Sequence, residues 1–142
     1  MENNISLSQR RIGVIINYIS LILAVMAFEF IKSKTGLPAW LGFSLMGISL
    51  MALVLSFAYA YGKTDIWHLA HKKSNHLDER EIQVVMNSIR ISYSIFTIAV
   101  IVVVYLFAIL GLGPFDEVIA ATLLYLAHIL PTSILAWTEK EI

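Results

Sequence analysis

The amino-acid sequence predicts an all-α fold: a four-helix transmembrane bundle with both termini cytoplasmic and the third helix extended into the cytoplasm. Three observations predict it. The chain of 142 residues is 58% hydrophobic and 14% charged, with a mean hydropathy of +0.78, where soluble domains are about 45–50% apolar and about 25% charged. Four uncharged runs, Ile12–Phe28, Thr35–Gly62, Ile91–Phe115 and Val118–Thr138, approach or exceed the roughly 20 apolar residues that a spanning helix needs. Lys and Arg are shared unequally among the segments between those runs. In hydrocarbon every backbone amide must be bonded within protein, so the runs are expected as helices and not as open strands.

The first span is placed near 12–31 and reaches a comfortable length only by including Glu29 to Ile31. Glu29 falls at its outer end with Lys32 three residues on, a spacing that predicts snorkelling or a local ion pair; a coupling-ion role is the functional alternative. Arg10-Arg11, the apolar run and Val25-Met26-Ala27 also read as a cleavable leader. The length of the run and its continuation through Phe28 and Phe30 favour a retained span. The second span, near 39–61, carries Ala52, Ser56 and Ala60, a row of small residues that permits close helix approach. Loop 62–90 follows, then spans near 91–112 and 117–137. Lys34-Thr35-Gly36-Leu37-Pro38 and Gly111-Leu112-Gly113-Pro114 are the expected turns, because glycine relaxes the backbone and proline starts a helix well. The halves are loosely alike, each with Arg, a span, a Gly-Pro turn and a second span, so a two-span duplication is one reading. The chain is expected to form a single integral membrane domain over 1–142.

Orientation follows from charge. Arg10, Arg11, Lys63, Lys72, Lys73, Arg80, Arg90 and Lys140 would lie on one side, and only Lys32 and Lys34 on the other. Excess Lys and Arg mark the cytoplasmic side, which puts both termini and loop 62–90 there. Trp67 and Trp137 then fall near the inner boundary and Trp40 near the outer one.

The segment HLDEREIQVV, residues 76–85, reads as a helix start. Asp78 can accept from the Glu81 amide while Glu81 reaches back to the Asp78 amide, the capping-box spacing, and Leu77 with Ile82 has the staple spacing. Glu79 and Glu81 suit the positive end of the helix dipole. A helix from Glu79 would begin about 12 residues, or roughly 18 Å, before the membrane. Ile82, Val85, Met86 and Ile89 make one apolar stripe on it. The stripe is to be covered by Ile66, Trp67, Leu69 and Ala70 of the preceding loop, by a second copy or another protein, or by headgroups. The Leu-Asp-Glu-Arg-Glu element opening a membrane helix resembles one found in small uncharacterised bacterial multi-pass membrane proteins, over about residues 76–97. That resemblance implies a bacterial inner-membrane protein without an assigned activity and carries over no site residues.

Balanced charge, ten basic and ten acidic residues, argues against nucleic acid as a partner. With no cysteine, thiolate catalysis, disulfides and Cys-based metal sites are excluded. His68, His71 and His76, with Asp65 nearby, are weak metal candidates, since imidazole and carboxylate suit Zn²⁺; a solvated His/Lys segment is the plainer reading. His128, near the middle of span 4, is an ionisable group where such groups are expensive. It lies on a face with Glu117, Ala121, Tyr125 and Thr132. Asn17, Ser20, Ser94 and Thr97 are expected at similar depth, so a proton or solute path is one reading and a helix-gluing hydrogen bond the other. No phosphate loop, nucleophile motif or acid–base carboxylate pair is present, and no cofactor is implied. The expected function is that of a non-enzymatic accessory or interaction protein of the inner membrane, with the lipid bilayer and a second copy or another membrane protein as partners. A small oligomeric transporter or channel built around His128 is the alternative, and a membrane-embedded enzyme the third reading.

Overall fold

The computed structural model describes residues 5–33, 38–64, 66–72, 76–111 and 116–139; the turn residues expected at 34–37 and 112–115, as well as Asp65, lie outside that range. Among the described residues the chain is helical and contains no strand: α1 (Leu7–Lys32), α2 (Ala39–Phe57), which continues as a π-helical turn (Ala58–Gly62), α3 (Ile66–His71), α4 (Glu79–Leu110) and α5 (Glu117–Thr138). Four helices are long and apolar enough to cross a membrane: Leu7–Lys32, Ala39–Gly62, Glu79–Leu110 and Glu117–Thr138. The chain divides into two compact units, Met1–Thr64 and Asp65–Ile142.

The first unit is a hairpin of α1 and α2. Helix α1 begins at Leu7, five residues ahead of its uncharged run. The Gln9 amide donates to Ser6 Oγ and the Ser6 amide to Gln9 Oε1, at 3.3 and 3.1 Å, so polar Ser8 to Arg11 are carried into the helix by a capping box. The two helices meet along small residues. A Cβ on Gly13 would stand 2.9 Å from the Ala60 Cβ, and one on Gly42 would stand 2.6 Å from Ile31 Cγ1. Between them Asn17 reaches Ser56. Positions 13, 17 and 31 thus face 60, 56 and 42, a single antiparallel register held from one end of the hairpin to the other. Without a hydrophobic drive between helices in lipid, close backbone approach of this kind is what lets dispersion hold them.

The helix expected near 39–61 runs to Gly62, with its last turn π-helical and the Lys63 amide donating to the Ala58 carbonyl. The widened turn buries Tyr61 completely, against the ring of Phe57 at 5.5 Å, and presents Ala60 to Gly13. Single π turns occur mostly inside longer helices, where they re-aim side chains. Of the small-residue row, Ser56 and Ala60 are buried and Ala52 is half-buried; Gly42 and Ser49 complete the buried face.

The second unit contains α3, α4 and α5. Helix α4 has 32 residues, about 48 Å at 1.5 Å per residue, where a bilayer core is about 30 Å. Its start is the predicted one. The Glu81 amide donates to Asp78 Oδ1 at 2.6 Å and the Asp78 amide to Glu81 Oε2 at 3.1 Å. It ends at Gly111, whose φ of +60° is left-handed and whose amide donates to the Phe107 carbonyl, a conformation that costs an L-residue about 1–2 kcal/mol. Asp116 caps α5 by accepting from the Ile119 amide at 2.9 Å. The buried residues of α4 (Val85, Ser88, Ser92) and of α5 (Ile129, Leu130, Thr132, Ser133, Leu135, Ala136) lie in the halves remote from the connection. Short α3 packs on α5 and α4 with Ile66 fully buried.

Hydroxyls in these apolar helices bond their own backbone: Ser49 to the Met46 carbonyl, Ser88 to Val85, Ser92 to Ser88 and Ser133 to Ile129. Back-bonding of this sort removes the penalty of an unpaired hydroxyl without any partner helix.

Candidate functional site

Residues far apart in sequence meet where α3 lies on α5. Trp67 and His71, one turn apart on α3, stack at 4.1 Å between ring centres with 29° between planes. His128 of α5 comes to 5.3 Å from the His71 ring and 5.7 Å from the Trp67 ring. His71 Nδ1 lies 2.9 Å from the Trp67 carbonyl oxygen. A carbonyl only accepts, so Nδ1–H is the donor and the lone pair of a neutral His71 sits on Nε2. Both imidazoles are exposed and Trp67 is half-buried. Beside them Lys72 Nζ stands 3.6 Å from Glu81 Oε2. Glu81 is therefore both the cap of α4 and the counter-charge for the end of α3.

The other singled-out residues are distributed as follows. His68 and His76 are exposed, and among the described residues no group of three or more His, Asp or Glu converges to hold a metal ion. Asn17 lies in the first unit, where its amide nitrogen donates to the Leu53 carbonyl at 3.2 Å and to Ser56 Oγ at 3.1 Å. Ser20 is buried there. Ser94 and Thr97 donate to the Arg90 and Tyr93 carbonyls of their own helix. Glu29 pairs with Lys32 at 3.5 Å, each about half exposed, and so exposed a pair contributes at most about 1 kcal/mol. Glu117 is exposed in the first turn of α5, next to the positive end of the helix dipole. Thr132 is wholly buried, and its hydroxyl has no hydrogen-bond partner among the described residues.

On α4 the capping residues Asp78 and Glu81 bond each other reciprocally. The apolar stripe splits: Val85 is buried and Ile82 half-buried, while Met86 is 61% and Ile89 44% exposed. Tyr93, one turn further on, is 73% exposed. The buried face of this part of α4 is completed by Ser88 and Ser92, which hydropathy alone would not select. The Ser-x-x-Gln spacing at 6–9 and Asp116 one residue before α5 were legible cap signals, and neither depends on tertiary contact. No local signal pairs His71 with His128, which are separated by all of α4 and the first half of α5.

No family model, curated protein or solved structure matches the chain. The class defined by fold and site is an all-helical protein with four helices long and apolar enough to cross a membrane and a short connecting helix seated on the last of them.

Proposed function

We propose that this chain is a small multi-pass protein of the bacterial inner membrane that acts by binding another membrane protein or a second copy of itself, not by catalysis. The proposed topology has both termini and residues 62–90 in the cytoplasm, as the Lys and Arg asymmetry favours. The observation that carries the reading is the exposed edge of α4 at Met86, Ile89 and Tyr93. If the uncharged run from Ile91 fills the hydrocarbon, Met86 and Ile89 stand at or beyond its boundary, where acyl chains do not cover them. Polar Glu79, Arg80, Gln83, Asn87 and Arg90 are exposed around them, the rimmed arrangement of a partner surface. Methionine adapts well to such contacts.

The test is cross-linking in native membranes followed by sizing of the purified complex. Met86→Asp with Ile89→Asp is expected to abolish the cross-linked species while leaving helicity unchanged, and Gln83→Lys is expected to leave it intact. A complex that survives the double substitution overturns the reading. Transport through a polar cluster around His128 has less support, because Ser94 and Thr97 are bonded within their own helix and His128 lies against Trp67 and His71.

A further inference from the structure

We propose that His71 and His128 together form a site for one borderline divalent transition-metal ion of the Zn²⁺ class. The site is independent of the partner surface on α4.

Two imidazoles bound to one tetrahedral ion, with metal–nitrogen bonds of about 2.0–2.1 Å, have ring centres about 5 Å apart. The His71 and His128 rings are 5.3 Å apart. A ligating histidine nearly always donates its other ring N–H to a carbonyl or carboxylate, which fixes the tautomer and raises the basicity of the free nitrogen. His71 has that arrangement, with Nδ1–H donating to the Trp67 carbonyl and Nε2 left to ligate. Both rings are exposed on the protein surface. The flanking cation, Lys72, is paired with Glu81, which lowers the repulsion that a bare ammonium would exert on an incoming dication. Imidazole without thiolate suits Zn²⁺, Co²⁺, Ni²⁺ and Cu²⁺ over Ca²⁺ or Mg²⁺. Two protein ligands leave positions for water or an external donor, so the site binds reversibly and is of the open kind. Occupancy would tie α3 to α5 in addition to their packing contact.

The position of Trp67 supplies the readout. In full-length protein in detergent with Trp40→Phe and Trp137→Phe, Trp67 is the single indole, and Co²⁺ quenches fluorescence only at short range. Titration with Co²⁺ is expected to give saturable quenching at one ion per chain, reversed by Zn²⁺. His71→Gln and His128→Gln are each expected to weaken Co²⁺ binding by about tenfold or more, and the double substitution no further than about either single one, since one ligand alone holds no ion. His68→Gln and His76→Gln should leave the midpoint unchanged. Helicity and the metal-free Trp67 emission maximum establish that each variant is folded. If His128→Gln fails that check, His71→Gln carries the test. Quenching that does not saturate, or that responds to His68→Gln as strongly as to His71→Gln, overturns the site and leaves the ring cluster as packing only.

Discussion

In the hairpin of α1 and α2 the buried positions are Arg10, Gly13, Val14, Asn17, Ser20, Ala27, Gly42, Ser49, Ser56, Ala60 and Tyr61. In α4 and α5 they are Val85, Ser88, Ser92, Ile129, Leu130, Thr132, Ser133, Leu135 and Ala136. The first hairpin brings backbones together, and a long-range amide bond from Asn17 crosses between its helices. The second buries its side chains near one end, and over its most apolar 18-residue window α4 buries nothing. Its helix ends are set by local devices, the capping box at Asp78, the left-handed Gly111 and the Asp116 cap, as the Ser6 box sets the start of α1. The first pair of helices therefore depends on the absence of side chains at specific points along its length, and the second on side-chain packing confined to the end remote from its connection.

The largest expected effect is at Gly13, where an added methyl would stand 2.9 Å from the Ala60 Cβ, an atom that cannot rotate away. Gly13→Ala should destabilise the first unit by about 1–3 kcal/mol, read as a shifted midpoint in a detergent unfolding titration. Ala60→Gly in the same chain should restore most of the loss; absence of rescue would mean that the helices do not pack in this register. Asp78→Ala should cost about 1 kcal/mol and speed hydrogen exchange at the first-turn amides of α4, with no change in α1. Asn17→Leu should cost only about 0.6 kcal/mol, because Ser56 keeps its own bond to the Leu53 carbonyl. A loss of several kcal/mol on the same titration would make Asn17 the main fastening of the hairpin. Glu29→Gln is the smallest, within about 0.5 kcal/mol, since its partner is an exposed Lys32.

The helices themselves were legible in advance. Four apolar runs of sufficient length imply four long helices, and the Asp78–Glu81 box was readable because all its atoms lie within four residues. The start of α1 at Leu7, ahead of the span expected near 12–31, is readable in the same way from Ser6 and Gln9. The π-helical turn was not, because Ala58–Gly62 carries no spacing that distinguishes it from a regular turn; its widening goes with contact to Gly13. Nor was the division of the α4 stripe. Ile82, Val85, Met86 and Ile89 share a hydrophobic face by periodicity, yet burial there follows Val85, Ser88 and Ser92.

Composition, run length and cap spacing by themselves determined that this chain is helical and where most of its helices begin, because hydropathy and hydrogen bonding within one turn act over a few residues. Only the tertiary structure decided that Gly13 meets Ala60, that Asn17 meets Ser56, and that His71 and Trp67 rest on His128. Those contacts join residues tens of positions apart, and which of them forms depends on how whole helix surfaces fit together, which no window of the chain contains.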